Sequence, residues 1–516
     1  MRSASRSLRL TIGLSLAALL AAACVTDASA AAFGFGGFGR MGGGGGGGGG
    51  FGRSMGNGGG MGKHGMTSGR GSGKTVGTRG GDTWTTGHEG GHDGGHGRHH
   101  PIVVPGIDDD GGLGGGGGPG GQDTLARSGG GNNRGSGVPS RGEERFVADE
   151  ILLEFAPGAT AQAIDQLARR YHLTQRESQS FPLIGSTFSR WHIAGGRSVP
   201  NLVGVIEDER IVASAQPNYL FVLQDDAANG GAAHGEAAQY VLAKLQVGEA
   251  HQLATGKSIL VAVIDSQIDA KHPDLDGTIA KSIDELGGAD IPPQHGTAIA
   301  GAIAAHGRLL GIAPGVRLLA ERAFDDTPGK SKGTSFAIYK SLQAAADGGA
   351  RVVNMSFVGP ADPALHRMLA AAYAKDMVLI AAAGNAGPDA APLSPAADPD
   401  VIAVTASDSN DGLFKMANRG PYIAVAAPGV EILALAPGEA YQITTGTSVA
   451  AAHVSGIAAL LLELRPSLKP KDIRTIITTT AKPNADLGAG LANAYRAVIL
   501  VNGKPAEKDG GPQAKQ

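Results

Sequence analysis

The sequence predicts an α/β fold in which helices cover both faces of a parallel sheet, and two observations support this prediction. Between residues 239 and 500, short and nearly continuous apolar runs alternate with segments whose apolar residues recur at helical spacing. Parallel strands that are covered on both faces carry such runs, and helices usually connect them. Because ligands of such sheets bind beyond the carboxyl ends of the strands, functional residues are expected where the runs end.

The first thirty residues are interpreted as an export signal. Three arginines precede an apolar run, Leu10–Ala23, that is too short to span a bilayer comfortably. ASA at Ala28–Ala30 offers the small residues of a cleavage site. The alternative is a lipid anchor, because LLAAAC resembles a bacterial lipoprotein processing box and ends at Cys24, the only cysteine. The protein is therefore expected to be secreted or periplasmic, or anchored to a membrane through Cys24.

Residues 31–144 are too rich in glycine to form a packed domain. Of the 85 glycines, 48 fall between Phe33 and Gly142, and such a segment buries too little apolar surface to offset its conformational entropy. We therefore expect a disordered region. Its histidines leave open a different function, weak binding of transition metals by a surface or structural protein. They are His88, His92, His96, His99 and His100.

Residues 145–224 are predicted to form a small α+β unit with the order β-α-β-α-β. Strands are predicted at Ala148–Phe155, Gly185–Ile193 and Arg210–Leu223, and helices at Thr160–Tyr171 and Val199–Asp208. A polar linker, residues 225–238, then leads to the main domain, residues 239–500, and a polar tail follows it at 501–516.

The main domain contains five apolar runs that we interpret as strands. They are SILVAVID (Ser258–Asp265), VRLLAERAF (Val316–Phe324), RVVNMSF (Arg351–Phe357), MVLIAAAG (Met377–Gly384) and VIAVTAS (Val401–Ser407). Helical patterns lie between them, for example at Ser335–Asp347 and Ala364–Ala374.

Four polar side chains are placed at the ends of these elements. Asp265 ends a strand in VAVIDSQID, His295 opens a small-residue helix in QHGTAIAG, and Asn385 follows a strand in AAAGNAG. Ser448 begins a helix in GTSVAAAHVSG, where it is also expected to cap that helix. Taken singly, each is more often structural, as a turn, a surface or a capping residue.

Together, the four residues predict a nucleophilic site. A serine is a weak nucleophile that needs a base, and a histidine can take its proton near neutral pH. An aspartate can orient that histidine, while the asparagine amide and the backbone N–H of Ser448 can donate hydrogen bonds to an oxyanion.

The four motifs, in this order, resemble those of subtilisin-like serine peptidases. The resemblance spans Gln239 to about Leu500 and implies a subtilisin-like fold and a serine endopeptidase of polypeptides, which works through an acyl-enzyme on Ser448. It implies Asp265 and His295 as the other triad members and Asn385 as the oxyanion donor, without a cofactor. The small unit, which ends in AQPNYLFVL, resembles the ferredoxin-like prodomain of the family, an intramolecular chaperone and inhibitor. The residues expected to line the substrate cleft are Ser356, Phe357, Val358 and Gly384.

The chain departs from the family pattern at several positions. Gln267 and Val358 replace usual glycines, and Ala452 replaces a usual proline. Val358, together with Leu393, is expected to narrow the pocket before the scissile bond and to favour small residues there. Ala304–Pro314 is short where many relatives carry a calcium-binding loop, so that site is not carried over to this chain.

The overall composition narrows the alternatives. A net charge of −3 gives no reason to expect a nucleic-acid partner. Two other functions stay open from the residues alone: a catalytically silent subtilisin-like scaffold that binds peptides, and the metal-binding surface protein considered above.

Overall fold

The computed structural model describes residues 136–223, 239–287, 294–325 and 331–503. The predicted export signal, Cys24, the glycine- and histidine-rich region up to residue 135, and the linker 225–238 lie outside these residues. Most of the predicted tail, from residue 504 onward, also lies outside them.

The small subdomain, residues 146–223, is an antiparallel sheet with two helices. Its strands follow the order β4-β1-β3-β2. The chain order, β-α-β-β-α-β, is that of ferredoxin-like units. The elements are β1 (Phe146–Phe155), α1 (Ala161–Tyr171), β2 (Leu173–Phe181), β3 (Ser186–Ile193), α2 (Val199–Ile206) and β4 (Val212–Leu223).

The predicted order of this subdomain was wrong by one strand, because the sequence does not predict β2. This strand lies at the edge of the sheet and buries only its terminal residues, Leu173 and Phe181. The residues between them, TQRESQS, are polar. An edge strand with so little buried surface lacks the alternating apolar pattern by which strands are predicted.

The large subdomain, residues 239–503, contains the remaining elements. Its strands are β5 (Leu260–Asp265), β6 (Ile279–Asp284), β7 (Arg317–Arg322), β8 (Lys332–Thr334), β9 (Val352–Met355), β10 (Phe357–Val358), β11 (Val378–Ala382), β12 (Val401–Ser407), β13 (Ile423–Pro428), β14 (Ile432–Ala436) and β15 (Ala440–Thr444). Its helices are α3 (Tyr240–Lys244), α4 (Val247–His251), α5 (Gln294–Ala304), α6 (Ser335–Asp347), α7 (Pro363–Ala374), α8 (Thr447–Leu464), α9 (Pro470–Thr480) and α10 (Ala494–Asn502), and a 3₁₀ turn spans Pro273–Leu275.

A seven-stranded parallel sheet forms the centre of the large subdomain, in the order β13-β12-β11-β9-β5-β7-β6. Along β5, Val261 and Val263 face an apolar cluster that contains α5 and α8. The alternate residues, Ala262 and Ile264, face a second cluster that contains α6 and α7. Both faces of the sheet are therefore covered, which confirms the fold class predicted from the apolar runs.

Helix α8 is the central helix on one face. Within the described residues it is the one helix with the length and hydropathy of a membrane span. Nearly all of it is buried against the sheet and against α5 and α10. Its apolar surface is thus covered by protein, as expected for a core helix.

Candidate active site

The fold brings together the ends of four elements that carry the predicted residues. Asp265 is the last residue of β5, and Asn385 lies three residues beyond β11. His295 and Ser448 are each the second residue of a helix, α5 and α8 respectively. Both helices pack on the same face of the sheet, so the chain places these groups at the carboxyl edge where such sheets bind ligands.

Asp265 and His295 form a buried hydrogen-bonded pair. The distance between Asp265 Oδ1 and His295 Nδ1 is 2.6 Å, and both side chains are almost fully inaccessible to solvent. The same carboxylate oxygen accepts a hydrogen bond of 2.7 Å from the backbone N–H of Ser266. These contacts fix the ring so that Nδ1 faces the carboxylate and Nε2 is the nitrogen directed away from it.

Ser448 lies inside the first turn of α8 and does not cap it, so the predicted capping role was wrong. The cap position is occupied by Gly446, which makes no side-chain hydrogen bond. Ser448 has helical backbone geometry, and its hydroxyl makes other contacts. Its Oγ lies 3.4 Å from the carbonyl oxygen of Ser356, while Ser356 Oγ donates a 3.0 Å hydrogen bond to the Ser448 carbonyl.

Asn385 is held by a residue that the sequence does not predict, Thr447. The Asn385 Oδ1 atom accepts hydrogen bonds from the backbone N–H of Thr447 at 3.1 Å and from its hydroxyl at 2.9 Å. That hydroxyl in turn accepts a bond of 3.0 Å from the backbone N–H of Gly384. The carbonyl end of the amide is thereby fixed, which leaves the amino end as the donor.

Gly384 has the backbone conformation that glycine favours, with φ of +110°. A Cβ atom at this position would lie 2.7 Å from Asn418 Nδ2. Asn418 in turn accepts a 2.9 Å hydrogen bond from the backbone N–H of Ala386. Any larger residue at position 384 would therefore disturb the loop that carries Asn385.

The predicted cleft residues Phe357 and Val358 form β10, and this strand pairs with the small subdomain. The end of β4 lies between β10 and β8 and pairs antiparallel with both. Leu223 is opposite Phe357 on one side, and Phe221 is opposite Gly333 on the other. The sequence does not predict β8, which is only three residues long.

Phe221 anchors this strand. Its side chain is fully buried and packs edge-to-face on Phe357, with ring centroids 5.8 Å apart. Phe357 also packs on Phe324 at 4.9 Å. The tail of the small subdomain therefore occupies an aromatic pocket as well as a strand position.

Polar contacts extend the junction to the starts of α6 and α7. Asn218 Oδ1 accepts from the backbone N–H of Phe336 at 3.2 Å, and Gln216 Oε1 accepts from that of Ala364 at 3.2 Å. Gln216 Nε2 also donates to Asp362, which caps α7. The small subdomain thus supplies caps to two helices of the large one.

Val358 is buried, and the segment that contains Leu393 runs beside it. Gly359 and Ser394 exchange two backbone hydrogen bonds of 2.8 and 3.1 Å. The two residues predicted to narrow the pocket are therefore carried on adjacent stretches of chain.

The histidine of α8, His453, is unsuited to act as a base. It is fully buried, and burial lowers its pKa to about 4. Its Nδ1 lies 2.9 Å from the carbonyl oxygen of Pro428 and donates to it. His453 therefore stays neutral and has a structural role.

Glu321, on β7 next to the strand of Asp265, is a buried carboxylic acid. It is 1% exposed, and its two oxygens make no hydrogen bond to the described residues. Burial, reinforced by the negative charge of Glu285, raises its pKa to about 8. The following residue, Arg322, lies opposite Asp265 in the strand pairing.

Among the described residues, no three side chains of His, Cys, Asp or Glu come together in an arrangement that could hold a metal ion.

Comparison with known sequences identifies close relatives. The profile of the Subtilase family matches residues 256–497. A thermophilic serine proteinase from Bacillus sp. (strain AK1) is 32% identical over 367 residues, which cover 68% of this chain and 88% of the relative. Thermitase from Thermoactinomyces vulgaris is 35% identical over 272 residues, which cover 50% of this chain and 95% of the relative.

A comparison with solved structures finds a protein of the same fold. The crystal structure of fervidolysin from Fervidobacterium pennivorans, a keratinolytic enzyme related to subtilisin, matches with a TM-score of 0.58 and 24% sequence identity. The match covers 68% of this chain and 61% of that one. It agrees with the subtilisin-like arrangement of sheet and helices predicted from the sequence.

Proposed function

Because the chain belongs to the subtilase family and is a subtilisin-like serine endopeptidase, we propose that it cleaves peptide bonds with Ser448 as its nucleophile. His295 is the general base, and Asp265 orients it. The observation that carries this assignment is the buried 2.6 Å hydrogen bond between Asp265 and His295. Asp265 ends a strand of the sheet, and Ser448 lies in the first turn of the core helix on that sheet.

The proposed steps use the chemistry of these three side chains. Ser448 Oγ attacks the carbonyl carbon of the substrate, and His295 Nε2 takes the hydroxyl proton and then gives it to the leaving amine. Asp265 keeps the proton of the ring on Nδ1 and stabilises the imidazolium that forms. Water then hydrolyses the acyl-enzyme with His295 acting again as base.

The oxyanion is stabilised by Asn385 and by the start of α8. With Asn385 Oδ1 occupied by two donors of Thr447, the amide NH₂ group is the end that can donate to a developing negative charge. The backbone N–H of Ser448 is the second donor. The positive end of the α8 dipole adds to the effect.

The test is a comparison of Ser448→Ala with Ser467→Ala, which removes an exposed serine remote from the site. Losing the nucleophile of a triad costs about six orders of magnitude in turnover, a figure measured in subtilisin. We expect Ser448→Ala alone to lose peptide hydrolysis and labelling by a fluorophosphonate, with an unchanged melting temperature. Hydrolysis at the wild-type rate by Ser448→Ala would show that another residue is the nucleophile.

We also propose that the small subdomain keeps the enzyme inactive until the chain is cut after it. Support comes from β4, whose end occupies the strand position beside β10 that an extended peptide substrate would need. Covalent attachment gives this strand a high effective concentration, so even a modest affinity would exclude substrate. The cut is proposed between Leu223 and Gln239.

The experiment is to purify wild-type protein and Ser448→Ala in parallel and to sequence the N-terminus of the large fragment. Wild-type protein should yield a fragment that begins within residues 224–239, whereas Ser448→Ala should stay intact. A wild-type protein that is uncut yet fully active would identify the small subdomain as a permanent accessory.

Export is proposed from the basic and apolar start of the sequence. Cleavage after Ala30 would release a free protein, whereas processing at Cys24 would leave it anchored to a membrane by lipid. Mass spectrometry of the mature N-terminus distinguishes the two, since a free amine on Ala31 is incompatible with the anchor.

A further inference from the structure

A buried carboxylate, Asp274, fixes the loop that follows α5. It is 2% exposed. Its Oδ1 accepts a hydrogen bond of 2.9 Å from the backbone N–H of Arg308, and its Oδ2 accepts one of 2.8 Å from that of Leu309. The hydroxyl of Tyr441, on β15, donates to Oδ1 at 3.4 Å. The backbone N–H of His306 donates to the Asp274 carbonyl at 3.0 Å.

Gln239 fixes the next residue of the same loop from the other side. Its Nε2 donates to the carbonyl oxygen of Leu310 at 3.0 Å, and its Oε1 accepts from the N–H of Leu310 at 2.9 Å. The amide therefore pairs with both backbone groups of a single residue, as an adjacent strand would. We call Asp274, Gln239 and the backbone of residues 308–310 the loop clasp.

Many members of the family carry a calcium-binding loop at this place, so the fit of a cation can be tested. Calcium needs six to eight oxygen ligands at about 2.3–2.6 Å. In the loop clasp, the oxygens of Asp274 and Gln239 face N–H and O–H donors. A Cβ atom at Gly307 would lie 2.2 Å from Asp274 Oδ1, so the loop backbone itself closes on the carboxylate. These residues do not fit a calcium ion.

We propose that the loop clasp does, by hydrogen bonds alone, what a bound cation does in other members of the family, and that this site takes no metal. The consequence reaches the active site, because α5, which carries His295, runs directly into the clasped loop. Tyr441 connects the clasp to β15, which is followed by Ser448. The loop clasp thus helps to position α5, which carries the base, relative to β15, which precedes the nucleophile.

The proposal is tested by the melting temperature of the full-length protein, which carries Ser448→Ala to prevent self-digestion. Melting is measured with 5 mM Ca²⁺ and with EDTA. We expect the same temperature in both. Gln239→Ala should lower it by roughly 4 °C in both media, because two neutral hydrogen bonds of about 1 kcal/mol each are lost. Asp274→Asn should lower it further, since an NH₂ group would then face backbone N–H donors.

The outcomes separate the alternatives. If Ca²⁺ raises the melting temperature, and Asp274→Asn or Gln239→Ala abolishes that rise, the proposal is overturned, because the ion would then bind through these residues. An equal rise in all variants would mean that the ion binds elsewhere, and the proposal would stand. If Asp274→Asn does not fold, Gln239→Ala decides alone. Unchanged melting temperatures in both variants would refute the clasp as a stabilising device.

Discussion

Replacing Glu321 by Gln should remove a large part of the alkaline destabilisation of this protein. In the folded protein, burial raises the pKa of this carboxyl to about 8, against an ordinary value of 4.5. The folded state therefore binds more protons than the unfolded state at any pH between these values. Stability is full below about pH 4.5 and falls as the pH rises towards 8.

The size of the effect follows from this difference in pKa. Each unit is equivalent to about 1.4 kcal/mol, so the interval between 4.5 and 8 represents roughly 5 kcal/mol of lost stability. The Gln side chain of the Glu321→Gln variant has nearly the same shape as that of Glu and cannot ionise. Relative to wild type, the variant should gain up to that amount between pH 4.5 and pH 9.

The assay is urea unfolding at half-unit steps of pH, in protein that carries Ser448→Ala. Glu285→Gln provides a second variant: the charge of Glu285 raises the pKa of Glu321, so its removal should make the fall in stability smaller and end it at a lower pH. The direction follows because a smaller difference between the folded and the unfolded pKa of Glu321 causes a smaller loss of protein stability at alkaline pH. Parallel pH profiles for wild type and Glu321→Gln would refute the reasoning.

Three further changes test the site. Asn385→Ala should lower kcat by about 10²–10³, the range known for the oxyanion donor of subtilisin; steady-state kinetics that show only a higher KM would contradict the assignment. Val358→Gly should widen the pocket, so a peptide library should shift from Ala and Ser towards larger residues before the scissile bond, and an unchanged profile would count against Val358. Phe221→Ala removes a fully buried ring, a change that typically costs about 3–5 kcal/mol, and it should shorten the lag before peptide hydrolysis begins; an unaltered lag would mean that this ring does not hold the small subdomain in place.

The parallel sheet could be predicted because each of its central strands is buried on both faces. Runs such as LVAVID and VLIAA have apolar side chains at every position until the strand ends. A polar residue at or after that end, such as Asp265 or Asn385, can therefore be recognised from the sequence. Their positions in the sequence therefore predicted that they lie at the carboxyl ends of strands in the sheet. The order of the strands in the sheet carries no such local signal.

The features that the sequence did not predict depend on distant parts of the chain. β8 is three residues long and is a strand only because β4 pairs with it. Thr447 is important because Asn385, 62 residues earlier, accepts both of its hydrogen bonds. The error at Ser448 has a local origin, since a serine one or two residues into a helix looks like a cap when the true cap, Gly446, has no side chain.

The burial of α8 along almost its whole length determines how the enzyme responds to heat. The residues between Val449 and Leu462 are buried, so we expect their backbone amides to exchange with solvent only when the fold opens as a whole. The proposed nucleophile, Ser448, lies in the first turn of this buried helix. We therefore expect the catalytic geometry not to loosen ahead of unfolding, so that on heating the loss of activity and cooperative melting coincide.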